Sequence, residues 1–241
     1  MLIMKAIRVE CFQNLVNYRK PSSFIIKETY PLPPYSTVSG MVHAICGFTE
    51  LHRLRISIQG CNQGTVSELY TRYSFNAGSK YEETRHQICV KDDGKQYGVF
   101  KGIANAELVC ENRMIIHIVP EKEEDFDTIY QALLAPKKYP SLGRYEDLLD
   151  IEKVDVVNIS QVDEAEPEMD IYIPIHYFED AQVSLATVYT LTKEYEITKK
   201  GLRRWKKDGG KIKVYYCPKG ETVYDVYVDD YEGGSTVVAL A

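Results

Sequence analysis

The residues with the most chemical potential lie between positions 70 and 102. There Arg72, Lys80, Arg85, Lys91, Lys95 and Lys101 are interleaved with Tyr70, Tyr73, Phe75, Tyr81 and Tyr97. Cations suit phosphates and rings suit splayed bases, so this alternation fits single-stranded RNA. Glu82, Glu83, Asp92 and Asp93 offset part of the charge, and an exposed hairpin whose charges serve only its solvation is the plain alternative. A second dense segment runs from Lys199 to Lys207 and holds the chain's single tryptophan, Trp205. It fits a further nucleic-acid or protein contact, or a solvated basic turn.

Other chemistries are poorly served. No G-x-x-x-x-G-K-[ST] or G-x-G-x-x-G stretch is present to cradle a nucleotide. His43, His52, His86, His117 and His176 never pair at metal-ligand spacing, and six scattered cysteines form no C-x-x-C pair, so no metal or cofactor is expected. His117 lies in an apolar run and reads as a core histidine. His43 falls near a helix start, where contact with a phosphate and simple solvation both remain open. The acidic runs at 121–127 and 163–170 read as a dipole-matched helix start and a solvated linker, not as catalytic pairs.

Bulk charge is informative only when divided. The net charge is −6, yet residues 1–110 carry 13 Lys/Arg against 9 Asp/Glu, and residues 111–241 carry 16 against 26. A basic half can hold a phosphate backbone while an acidic half faces solvent or protein. Nineteen tyrosines in 241 residues favour a binding surface without naming its ligand. Hydrophobic content of 44% supports a real core, and no apolar run reaches membrane-spanning length; a cytoplasmic protein without membrane contact is expected.

The elements that must position these residues follow from periodicity. Met4 to Phe12 alternates as a strand, with Ile7, Val9 and Cys11 facing in and Arg8 and Glu10 facing out. Pro31, Pro33 and Pro34 keep the next segment extended, and Ser36 or Thr37 caps a helix carrying Val38, Met41, Val42 and Ile45, ended by Gly47. Leu54 to Ile58 gives a second strand, and 112–119, apolar on both faces, a central third. A helix with Phe126, Ile129, Tyr130, Leu133 and Leu134 precedes Pro136, and Val154 to Ile159 makes a fourth strand.

The resulting β-α-β-β-α-β order predicts an α+β fold, a ferredoxin-like (RRM-like) domain over residues 1–162. Residues 70–102 form an insertion with a hairpin at Asp93-Gly94, and 163–241 form a smaller β-rich domain with strands near Ile171–Ile175, Val183/Leu185, Ile212/Val214 and Val226/Val228.

Two short stretches add a family likeness. Thr29 to Gly47 (TYPLPPYSTVSGMVHAICG) resembles the N-terminal motif of the fifth family of CRISPR-associated proteins, the Cas-five family of the RAMP superfamily. Lys138 to Leu149 (KYPSLGRYEDLL) resembles that family's later proline-leucine-glycine-arginine motif. The likeness spans residues 4–160 and looks closest to the type I-B or related branches; the basic insertion falls where the family has its thumb.

The resemblance implies a non-catalytic subunit of a type I Cascade effector in antiviral defence. Such a subunit caps the 5′ handle of the CRISPR RNA, docks the large and backbone subunits, and meets target DNA only indirectly. Tyr35, Ser36, Thr37, Ser39, Gly40 and His43 would meet the handle, with Gly143 and Arg144 on the same face. Arg72, Tyr73, Lys80, Arg85, His86, Lys91, Lys95 and Lys101 would contact RNA from the thumb. One branch of the family is itself a metal-independent endoribonuclease acting on repeat RNA through a tyrosine, a lysine and a histidine; Tyr35, Lys80 and His86 or His117 are the residues available for that alternative. A ferredoxin-like oligomerisation module without RNA is the third class.

Overall fold

Elements are described from a computed structural model covering residues 3–178, 186–199 and 202–241. In chain order they are β1 (Met4–Val16), α1 (Tyr35–Cys46), β2 (Leu54–Cys61), β3 (Thr65–Lys80), β4 (Ile88–Asp92), β5 (Lys95–Pro120), α2 (Asp125–Leu134), β6 (Asp150–Ala165) and β7 (Asp170–Pro174). There follow β8 (Thr187–Thr192), β9 (Tyr195–Ile197), β10 (Arg203–Trp205), β11 (Lys211–Cys217), β12 (Val223–Asp229) and β13 (Val237–Val238).

The central strands are ordered β6-β1-β5-β2, antiparallel throughout. β5 lies between β1 and β2 as the expected central strand, with Met114, Ile116 and Ile118 packed under the helices and His117 and Val119 covered by the C-terminal strands, as its continuous apolar character requires. The two helices pack against one another and against the main core: Val38, Met41, Val42 and Ile45 from α1 join Ile129 and Leu133 from α2. The apolar stripe at helical spacing drives both onto the sheet.

β5 is far longer than the segment read from sequence. Its first half leaves β2 and runs as a ladder with β3, from Thr65↔Val109 to Phe75↔Val99. Glu111, with a left-handed φ of 49°, marks the corner. At the far end β4 folds back on β5 through Asp93-Gly94, with φ of 44° and 72°, the signs a type I′ turn demands. The expected hairpin is therefore the tip of a longer projecting one.

The expected boundary at 163 falls inside β6, where Val162 and Glu164 pair with β12. Among the described residues, β12 and β13 extend the β6 edge of the main sheet, and β7, β11 and β8 extend the β2 edge. Ile171 and Ile173 of β7 pack with Val223, Val226 and Val237, so the two edges curl together on the face away from the helices. β9 and β10 form a separate two-stranded ribbon. The expected strand at Val183/Leu185 lies outside the described residues.

This curl corrects the reading of β1. Arg8 is buried rather than solvated, because the C-terminal strands cover its face. Its guanidinium lies over the Tyr231 ring (3.9 Å), pairs with Asp229 (3.1 Å) and also contacts Glu10. Asp229 in turn bonds His117 Nε2 at 3.0 Å. His117 is thus the core histidine that its apolar setting predicts, held neutral by burial.

Candidate nucleic-acid interface

The start of α1 differs from the expected cap. The helix begins at Tyr35, with Pro34 at the N-cap, φ −62° and ψ 151°. Proline pre-sets this geometry but has no side chain to bond the first-turn N–H groups. Thr37 and Val38 instead donate to the Pro34 carbonyl, at 2.9 and 3.3 Å. Pro34, Ser36, Thr37 and Gly40 then form one side of a groove of about 690 Å³. No heavy atom would meet a Cβ at Gly40, so the helix leaves its surface bare there.

The second motif supplies another side. Gly143 holds φ of +119°, and a Cβ on it would press against Val16 Cγ2 (2.8 Å) and Asp147 Oδ2 (2.9 Å); only glycine fits without displacement. Asp147 is buried and accepts from Asn17 N–H (3.1 Å), Arg144 N–H (2.8 Å) and the Arg144 guanidinium (2.8 and 3.0 Å). The Gln13 amide reaches Leu142 and Asp147 carbonyls at 2.9 and 3.1 Å. The turn is thereby stapled to the end of β1. Arg144, bonded to Asp147 and flanked by Glu146 and Glu68, has its pKa raised and serves mainly as that staple.

The open cations come from residues the motif reading passed over. Arg19 and Lys27, on the arm between β1 and α1, line the same groove. Lys27 lies over the Tyr70 ring at 4.4 Å. Its ammonium is pushed below the usual lysine range by burial first, then by the charges of Arg19, Arg72 and Arg144. Four cations thus converge from the arm, β3 and the stapled turn. Their signal in the sequence is faint, because Arg19 and Lys27 sit in a polar loop without periodicity. Ser141, Tyr145, Tyr195 and Trp205 also line the groove.

Several expected contacts lie elsewhere. Tyr35 points into the core, 1% exposed and packed by Tyr172; burial raises its phenol pKa, and among the described residues no partner reaches its hydroxyl. The helix starts two or three residues earlier than its expected cap, Ser36 or Thr37, which brings Tyr35 into its first turn. Ser36 borders the groove, but its hydroxyl is bonded to Thr192 at 2.6 Å.

Ser39 and His43 open onto a neighbouring cleft of about 240 Å³ with Phe48, Leu51 and Lys206. His43 Nδ1 lies 2.7 Å from the Ser39 carbonyl and Nε2 accepts the His52 N–H at 3.0 Å, which fixes the Nδ1–H tautomer. Burial lowers its pKa, so it offers no positive charge to a phosphate.

On the projecting hairpin, Arg72, Tyr73, Lys80, Arg85, Lys91, Lys95 and Lys101 are exposed as expected. His86 is not. It is 4% exposed, lies flush on Gly98 and stacks towards Phe100 at 4.8 Å. A hairpin too thin for a core of its own uses the imidazole as packing. Among the described residues, no helix is long and apolar enough to cross a membrane, and no group of three or more His, Cys, Asp or Glu could hold a metal ion.

Comparison with known proteins bears on this geometry. A family model described as CRISPR-associated protein (Cas_Cas5) matches residues 6–227. No curated protein matches the chain. A chain titled "CRISPR RNA-guided surveillance complex" is 17% identical, with 89% of this chain and 90% of that one covered and a TM-score of 0.53. A structure titled as a CRISPR protein from Archaeoglobus fulgidus is 11% identical, covering 99% of this chain and 100% of its own, with a TM-score of 0.46.

Proposed function

Since the chain belongs to the Cas5 family of CRISPR-associated proteins, we propose that the groove at the start of α1 holds the 5′ handle of a CRISPR RNA. The protein is then a non-catalytic subunit of a type I Cascade effector in antiviral defence. The order β6-β1-β5-β2 with two helices on one face supports the ferredoxin-like reading of the core, and the β3–β4–β5 hairpin is its thumb. The observation that carries the RNA assignment is the placement of the cations Arg19 and Lys27 in one groove beside Arg144, with Arg72 of β3 close to Lys27. Cations gathered at a groove suit a polyanion, and the positive end of the α1 dipole adds a second attraction for phosphate.

The thumb carries the protein contacts in this reading. Leu69, Phe75 and Ile103 are exposed along it, and Phe24 and Ile25 of the arm lie beside Ile103. A contiguous apolar strip flanked by cations suits a neighbouring backbone subunit threaded on the same RNA. The large subunit docks elsewhere on the core, and target DNA is met only through these partners.

Binding without cleavage is favoured over the endoribonuclease alternative by the placement of the candidate residues. Tyr35 and His117 are in the core, His86 is packed inside the thumb, and no histidine is among the residues lining the groove. General acid–base attack by a 2′-hydroxyl needs such a group within hydrogen-bond reach. Incubation of the purified protein with repeat RNA in EDTA tests this. A mobility shift without product is expected, and a single site-specific cut would transfer the protein to the nuclease branch.

A further inference from the structure

The basic segment around Trp205 has no role in the reading above. Two of its described cations are answered, Arg204 by Glu196 at 2.8 Å and Lys206 by Glu194 at 2.5 Å, while Lys199 and Lys207 are exposed. None of these cations lines the groove. What remains is a ring. Trp205 lines the groove while 39% exposed, with Tyr195 edge-on to it at 6.2 Å and 85°. Tyr145, 92% exposed, lines the same groove together with Arg19 and Lys27.

The ring is carried on a clamped support. β9 follows β8, whose Thr192 hydroxyl is tied to Ser36 of α1, and the ribbon base is closed by Lys193 N–H to the Gly210 carbonyl (2.9 Å) and Lys206 N–H to the Glu194 carbonyl (3.2 Å). A large apolar ring half exposed beside cations is complementary to a flat π-face on an anionic chain. A free phosphate or an acidic peptide would engage the cations and leave the ring wet. We propose that Trp205 is a stacking wall for one unpaired base of the nucleic acid in the groove, with the ribbon as its mount. This rests on the reading of the groove as an RNA site and adds to it the residue that selects a base over bare backbone.

Because Trp205 is the only tryptophan, its emission reports stacking without a variant. The full-length protein is titrated with 5′-labelled single-stranded RNA of the host repeat sequence and with an abasic oligomer of equal length, the label reporting binding. Quenching by the RNA but not by the bound abasic oligomer is expected. Trp205→Leu should lower RNA affinity roughly five- to 150-fold with an unchanged salt slope, and Trp205→Phe should recover most of it. RNA binding that leaves the emission unchanged, equal quenching by both oligomers, or wild-type affinity in Trp205→Leu would overturn the stacking assignment and leave the groove reading standing. No RNA binding at all would overturn both.

Discussion

Two places in this molecule gather cations beside aromatic rings, and they are built on opposite principles. Under the C-terminal strands, Arg8 stacks on Tyr231 and shares Asp229 with His117, so its buried charge is answered. Burial alone would raise the Asp229 carboxyl, but the bonds from His117 and Thr236 and the Arg8 charge hold it below the ordinary range. At the groove, Lys27 lies over Tyr70 but is pressed by burial and by Arg19, Arg72 and Arg144. One cluster is internally balanced and closes the fold; at the other Arg144 is answered by Asp147, Glu146 and Glu68, while among the described residues no ion pair answers Arg19 or Lys27. A count of basic residues along the chain does not distinguish them.

The balanced cluster gives the largest expected effect. Asp229→Ala leaves Arg8 and His117 buried without their carboxylate and should cost about 3–5 kcal/mol in chemical denaturation. RNA affinity of the fraction that remains folded should be unaltered. An equal loss of binding in the folded fraction would mean that the two regions are not separable.

The turn that shapes the groove comes next. Gly143→Ala forces a Cβ against Val16 and Asp147 at a left-handed φ, at a cost of about 1–3 kcal/mol. Unlike Asp229→Ala, it should weaken RNA binding as well, because the Asp147 staple moves. Unchanged affinity would place the turn outside the site.

Acidification probes the balanced cluster more gently. His117 and His43 have folded pKa values below the ordinary 6.5, both from burial first. The unfolded chain therefore takes up their protons first as pH falls. The stability they contribute is full above about 6.5 and declines below it. The urea midpoint should fall between pH 7 and pH 5, and less steeply in His117→Asn. A flat profile would mean that neither imidazole is held neutral.

The smallest effect is expected at Tyr35→Phe. Among the described residues its hydroxyl is buried without a partner, so removal should leave stability and RNA affinity within about 0.5 kcal/mol of wild type. A large loss of binding would return Tyr35 to the interface.

How much of this was legible in the sequence divides along the same line. The strands around Ile7, Ile56 and Ile116, the two helices and the Asp93-Gly94 turn follow from periodicity and turn chemistry, which are local. Arg8 was misread as solvated because its cover comes from β12 and from Tyr231, more than two hundred residues away, and alternation along one strand is blind to that. Both sequence motifs reach the groove, yet Tyr35 and Arg144 within them work as packing and as a staple. Arg19 and Lys27 were missed because a polar loop has no period, and their meaning arises only from the cations brought beside them. Trp205 was noticed for its charged neighbours, of which Arg204 and Lys206 are paired with Glu196 and Glu194.

The central claim is that the groove's cations are unbalanced in order to hold an RNA backbone. Its most direct test is the affinity for repeat RNA over a salt series, in wild type and in Lys27→Ala. Each phosphate neutralised on a single strand contributes about −0.7 to the slope of log affinity against log salt. A steep wild-type slope, shallower by about 0.7 in Lys27→Ala, is the predicted result. A flat wild-type response, or a slope indifferent to the loss of Lys27, would contradict it.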